Sequence, residues 1–163
     1  MLIRTATIED LDAVTTVEAE CFPPSEAATR ADFEHRLSHY GDHFWLMFDE
    51  SKLIAFVDGM VTDAADLTDE MYERAELHKE SGAWQMIFGV NTIPEYRKHG
   101  YARQICTGLL KEGMKKGAQN AYLQVVEGND NARALYRSLG FQQLYTYWFR
   151  VQPDENGNFP PEK

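Results

Sequence analysis

Two short runs constrain this chain more than anything else in it. Arg97-Lys98-His99-Gly100-Tyr101-Ala102 follows an apolar, strand-like segment, Trp84 to Val90, and opens a helix-like one. A small-residue turn between a strand and a helix leaves backbone N–H groups unpaired at the helix N-terminus, which makes an anion site suited to a pyrophosphate. One strand and one helix further on, Asn129-Asp130-Asn131-Ala132-Arg133-Ala134-Leu135-Tyr136 and then Gly140-Phe141 supply a tyrosine hydroxyl on a short helix. Together the runs describe a chain that holds a phosphate-bearing cofactor beside a phenol able to move a proton.

The elements around them interleave. Leu2 to Thr5 reads as a strand, and Thr7 with Asp10 as a capping box ahead of a helix whose face is Leu11, Val14 and Val17. Phe22-Pro23-Pro24-Ser25 ends that helix, since proline cannot continue it. Thr29 with Asp32 caps a second helix carrying Phe33 and Leu37. Phe44 to Phe48 and Leu53 to Val61 read as a hairpin turning at Asp49-Glu50-Ser51-Lys52. An acidic stretch, 62 to 81, is weakly helical from Thr68 onward, and Trp84 to Asn91 is a strand followed by a Pro94-Glu95-Tyr96 loop. Residues 99 to 116 give a helix with Ala102, Ile105, Cys106, Leu109 and Leu110 on one face. Ala121 to Val126 is a strand, 130 to 139 a helix stopped by Gly140 at C′, and Phe141 to Val151 a last aromatic strand or strand pair. The pattern is mixed α/β in one domain, 1–151, with a polar tail, 152–163, that frays.

Composition excludes several classes. A chain of 163 residues with 44% apolar residues is long enough for a core. Its formal net charge of −10 repels phosphate backbones, so nucleic acid is not an expected partner, whereas cationic amines are favoured. Two cysteines are too few for a disulfide scaffold. No apolar run approaches the roughly 20 residues of a membrane span, and no signal peptide is read at the amino terminus, so the expected location is cytoplasmic, without a membrane partner.

Arg97-x-x-Gly100-x-Ala102 resembles the acetyl-CoA motif of the GNAT N-acetyltransferase superfamily, and Asn129-x-x-Ala132-x-x-Leu135-Tyr136-x-x-x-Gly140-Phe141 resembles that family's second signature. Their order, with one helix and one strand between, makes the pair specific, and the element order over residues 2 to 151 also matches. The resemblance implies a central mixed, mostly antiparallel sheet flanked by helices, with an acetyl-CoA cleft between the two central strands. It implies acetyl-CoA as cosubstrate, without a metal, held by Val90, Asn91, Thr92, Arg97, Lys98, His99, Gly100, Tyr101, Ala102 and Asn129. It further implies Tyr136 as the catalytic acid facing the thioester sulfur, and direct transfer to a small-molecule amine; a homodimer is left open. Within the superfamily, Cys21 to Ala28 and the acidic insertion are most similar to the arylalkylamine (serotonin) N-acetyltransferase branch. That branch carries two histidines on the central strand where this chain has Met86 and Phe88, so a histidine relay does not carry over.

The chemistry agrees with those roles. Attack on a thioester needs a neutral amine, a polarised carbonyl and a protonated leaving thiolate; alkylamines are mostly charged at neutral pH, so a base or water path must take a proton. A phenol is protonated at neutral pH and suits the thiolate, and a strand N–H near Val90 suits the carbonyl. Glu26 and Glu127 are candidate bases. Cys21 and Cys106 read as small core thiols; His35, His39 and His43 as a solvated helix face; His99 as framing phosphate; and His78 with Asp63, Asp66, Asp69, Glu70, Glu73 and Glu76 as a solvated charge face or an amine entrance. Two alternatives stay open: a protein or peptide amino group as acceptor, and a non-catalytic CoA-binding module.

Overall fold

The computed structural model describes residues 1–118, 120–123 and 130–141. In chain order these form β1 (Leu2–Thr5), α1 (Leu11–Cys21), α2 (Arg30–Tyr40), β2 (Phe44–Asp49), β3 (Lys52–Asp58), β4 (Val61–Thr62), α3 (Asp69–Glu73), β5 (Trp84–Ile87), β6 (Gly89–Thr92), α4 (Tyr101–Lys115), β7 (Asn120–Leu123) and α5 (Asp130–Ser138). The expected aromatic strand to Val151, the tail, Asn129 and Glu127 lie outside the described residues.

Local chemistry sets the helix ends. The Thr7 and Thr29 boxes both close: Asp10 Oδ2 accepts the Thr7 N–H, and Asp32 Oδ2 accepts the Thr29 N–H, each at 2.9 Å. The first box leads through a single 3-10 turn into α1, and Arg4 grips Asp10 with both guanidinium nitrogens at 2.9 and 2.8 Å, tying β1 to that turn. α1 stops at Cys21, one residue short of the Pro23-Pro24 block.

Two sheets result. β1-β2-β3-β6 is antiparallel throughout, whereas in β4-β5-β7 the β4–β5 pair is antiparallel and the β5–β7 pair parallel. The mixed, mostly antiparallel sheet is as expected, but two strands that read as continuous are broken. Leu53 to Val61 divides into β3 and β4, and Trp84 to Asn91 into β5 and β6. The cause is a bulge: Asp58 pairs with Gly89, yet its carbonyl also accepts the Phe88 N–H at 2.8 Å, so two residues face one. Beside it the Gly59 backbone passes so near the Met86 carbonyl that a Cβ on Gly59 would stand 1.7 Å from that oxygen. The pair bends there, and the chain passes from one sheet to the other.

The core fills both faces. α1 and α2 bring Val14, Val17, Phe33 and Leu37 onto Phe44 and Phe56, with the Phe33 and Phe56 rings edge-on at 5.9 Å. α4 covers β2, β3 and β6 from the other side with Ile105, Cys106 and Leu109. Each such side chain contributes about 1.5–3 kcal/mol on burial.

Candidate active site

The Arg97–Ala102 turn forms where it was expected. α4 begins at Tyr101, and its first backbone bond runs from Gln104 N to the Gly100 carbonyl at 3.2 Å, leaving the earlier N–H groups without an intrahelical acceptor. Gly100 adopts φ +80° and Lys98 φ +65°, and a Cβ on Gly100 would meet nothing within 4 Å. The turn therefore presents N–H donors at the start of a 15-residue helix to an open face, a geometry that fits a pyrophosphate. Two side chains lie back from it. Arg97 Nε donates to the Thr92 carbonyl at 2.8 Å, fastening the turn to the end of β6. His99 pairs through Nδ1 with the Tyr96 carbonyl at 3.1 Å and stacks on Tyr101.

β6 has one edge on β3. Ile93 N donates to Ile54 O at 3.0 Å, and in an antiparallel ladder the facing groups alternate. The Asn91 N–H therefore also faces β3, and the N–H groups of Val90 and Thr92 point to the opposite edge, where no strand pairs among the described residues. The Asn91 backbone N–H is thus directed at β3 and not at that edge. The Thr92 carbonyl, shared by Arg97 Nε and the Cys21 thiol at 3.4 Å, closes that edge at its far end.

Tyr136 sits on α5, partly buried against the core. Burial holds its hydroxyl pKa above the ordinary phenol value, and the Cys106 thiol and Tyr72 hydroxyl reinforce this. The hydroxyl is thus a proton carrier at neutral pH, near a second phenol contributed by the acidic insertion. Tyr72 packs on Phe88 with ring centroids 4.6 Å apart, and Arg36 reaches over Phe88 at 5.0 Å while donating to the Tyr72 carbonyl at 3.0 Å.

Under Phe88 lies a polar cluster that sequence reading missed. Arg36 pairs with Asp58 at 3.1 Å, both almost wholly buried. Glu18 is buried beside them and accepts the Ala28 N–H at 2.9 Å, and the Asn91 side chain is fully buried. The signal was helical phase: Glu18 stands four residues after Val14, and Arg36 three after Phe33, so each charge falls on an apolar stripe.

Other expectations divide. His43 is buried, not part of a solvated face: its Nδ1 donates to Gln85 Oε1 at 3.2 Å, because Gln85 Nε2 is turned onto the carbonyls of Gly59, Met60 and Met86. His43, His78 and Glu80 come within ligating reach of a common ion. However, His78 Nδ1 accepts the Val61 N–H at 3.0 Å, so its proton sits on Nε2, facing Glu80, and that nitrogen has no lone pair to give a metal. Burial raises the Glu80 carboxyl, but the His78 and His43 hydrogen bonds outweigh it and hold the pKa near about 2. In the insertion Asp63 pairs with Lys79, and Glu70 and Glu76 with Arg74, a solvated charge face, but His78 does not share it: its side chain is 7% exposed and its ring packs on Tyr40 and His43. Burial pushes the Cys106 thiol up to about 12 and raises Cys21 as well, so both are protonated at neutral pH, as core thiols would be.

The chain belongs to the acetyltransferase (GNAT) family, which it matches over residues 11–141. That family transfers acetyl groups from acetyl-CoA. Among curated relatives, the [ribosomal protein bS18]-alanine N-acetyltransferase of Haemophilus ducreyi is 31% identical over 58 residues, 36% of this chain and 40% of that protein. The match thus spans about two fifths of the relative's length. Among solved structures, the ribosomal-protein-S18-alanine N-acetyltransferase of Escherichia coli superposes with a TM-score of 0.67 at 21% identity, covering 97% of this chain and 87% of that one. The GphF GNAT-like decarboxylase in complex with isobutyryl-CoA gives 0.68 at 23%, covering 87% and 73%. At such identities these structures establish the fold alone. These relatives do not single out the arylalkylamine branch. No helix among the described residues is long and apolar enough to cross a membrane.

Proposed function

We propose that this protein transfers an acetyl group from acetyl-CoA to a primary amine by direct attack in a ternary complex. One observation carries the reading: the open edge of β6, bearing the Val90 and Thr92 N–H groups, runs directly into a turn at the start of α4 where a Cβ on Gly100 would meet nothing within 4 Å. The pyrophosphate sits on the backbone of Lys98, His99, Gly100, Tyr101 and Ala102. The pantetheine amides extend along the β6 edge as an added strand does. The Val90 N–H polarises the thioester carbonyl, and the Tyr136 hydroxyl protonates the departing thiolate. Asn129 lies outside the described residues, and its contact with the cofactor remains what the second motif's resemblance implies.

For the acceptor, the acidic surface favours a cation, and a small alkylamine is the first reading. A second reading, the amino terminus of a protein, is favoured by the named activity of the ribosomal-protein-alanine acetyltransferases that the chain resembles. Either reaction suits the cytoplasm, and neither calls for nucleic acid or a membrane. The test is thiol release from acetyl-CoA with arylalkylamines, polyamines and an alanyl-terminated peptide. Release that depends on one acceptor class identifies it. Release no faster than hydrolysis with every acceptor overturns the proposal in favour of a CoA-binding module. Gly100→Val is expected to abolish CoA binding, since a β-branched side chain is strained at φ +80° and would fill the phosphate's approach.

A further inference from the structure

Beneath the bulge the fold gathers polar atoms that its own hydrogen bonds do not use. Glu18 comes from α1, Arg36 and Tyr40 from α2, Asp58 from β3 and Asn91 from β6, all buried. Arg36 Nε, the Tyr40 hydroxyl and Asn91 Oδ1 have no hydrogen-bond partner among the described residues, and Asn91 Nδ2 has only the Glu18 carboxylate to turn to. Unpaired polar atoms at this depth are costly, and they are kept where something binds or moves.

Gly89 faces this cluster. The three atoms nearest to the point where its Cβ would stand are all polar side-chain atoms: Asn91 Nδ2 at 3.2 Å, Asp58 Oδ1 at 3.6 Å and Glu18 Oε1 at 3.8 Å. A strand residue without a side chain thus opens the backbone next to Val90 onto two carboxylates and an amide. The carboxylates are not equivalent. Asp58 is committed to Arg36 at 3.1 Å. Glu18 spends Oε2 on the Ala28 N–H and turns Oε1 toward Gly89.

We propose that Glu18 takes the proton of the acceptor ammonium, across the face of Gly89, with the Asn91 amide holding the path. The inference rests on the acetyl-transfer reading above and supplies the base it lacks. The ammonium gives one proton to the Glu18 carboxylate, and the freed lone pair forms the C–N bond at the thioester carbonyl. The C–S bond then breaks, and sulfur takes the Tyr136 proton. The second nitrogen proton restores the phenol by way of solvent, and Glu18 discharges its own to solvent, so each turnover releases one proton net.

Electrostatics agree with the geometry. Burial pushes the Glu18 carboxyl up to about 7, against the pull of the Ala28 N–H; Asp58 from β3 reinforces the rise, and Arg36 from α2 and the Asn91 amide from β6 oppose it. Cys21, on the same helix, is a further titratable neighbour among the described residues. A base that titrates near neutrality is matched to its task. It also accounts for a central strand that carries Met86 and Phe88 and no histidine.

The test is kcat/KM for one turned-over primary amine at saturating acetyl-CoA, from about pH 5.5 to about 9.5, in the parent protein and Glu18→Gln. The expected result is a loss of roughly 10²-fold at neutral pH that shrinks as pH rises and solution supplies free amine, with acetyl-CoA affinity unchanged. Gly89→Ala leaves Glu18 in place and puts a methyl between it and the strand edge. It is expected to reproduce the loss, and it decides the question should Glu18→Gln not fold. A parental pH profile in either folded variant, or a loss constant across pH, overturns the proposal. A parent protein that releases no thiol with any amine overturns the transfer reading itself, and that result is read without either variant.

Discussion

Phe141 donates its backbone N–H to the Tyr136 carbonyl at 3.0 Å and sets its ring edge-on to the Tyr136 ring, with centroids 5.9 Å apart. Between them Gly140, at φ +96°, donates to the Arg137 carbonyl at 3.0 Å. The two nested bonds and the apolar contact form a Schellman cap. The second sequence motif therefore has a structural meaning ahead of a catalytic one: it ends α5 and holds the phenol by the residues that follow it.

Gly140→Ala tests that coupling. Space is not the obstacle, since a Cβ there meets nothing within 4 Å; the positive φ is. Loss of about 1–2 kcal/mol is expected, read as a lower urea midpoint at unchanged m-value. Turnover should fall with it, while CoA affinity holds.

Tyr136→Phe removes the hydroxyl and keeps the ring contact with Phe141. If the phenol is the acid, kcat falls at least about ten- to a hundredfold with little change in CoA affinity. Unchanged kcat, under conditions where chemistry limits the rate, returns Tyr136 to a packing role.

The paired change Cys21→Ala, Cys106→Ala should keep substantial turnover, because burial keeps both thiols protonated and unreactive. An acyl-cysteine adduct in the parent protein, seen by mass spectrometry together with an inactive but folded double variant, would establish the opposite path.

Glu18→Gln should stabilise the protein at alkaline pH. In the folded state the Glu18 carboxyl keeps its proton up to about 7, against a reference of 4.5. The folded state thus binds the extra proton between these values. Stability falls as pH rises through that window and stays lowered above it. The gain from Glu18→Gln should be about 3 kcal/mol at pH 8 and vanish below about pH 4.5. Denaturant melts across that range check the sign; a gain independent of pH would show that the charge is not the cause.

Gly59→Ala should be the most disruptive single methyl in the sheet. Its Cβ would stand 1.7 Å from the Met86 oxygen and 2.6 Å from the Met86 carbonyl carbon, with only backbone to yield. A loss of about 3 kcal/mol or more is expected, with amide exchange accelerating first in β4 and β5.

The sequence by itself determined what is local. Thr7 with Asp10 and Thr29 with Asp32 box their helix starts, Pro23-Pro24 ends α1, and Gly140 ends α5, because each depends on bonds within a few residues. The Arg97–Ala102 turn was legible for the same reason, and with the Tyr136 motif it pointed to the family. Only the tertiary structure decided where the central strand breaks. The Phe88–Gly89 bulge exists because of Asp58 and Gly59, some thirty residues earlier in the chain, and no periodicity in Trp84 to Asn91 records that. The same distance hid the buried polar cluster. Glu18, Arg36, Asp58 and Asn91 lie on four different elements, and each alone is an ordinary polar residue. Burial turns them into a site, and burial belongs to the packed fold.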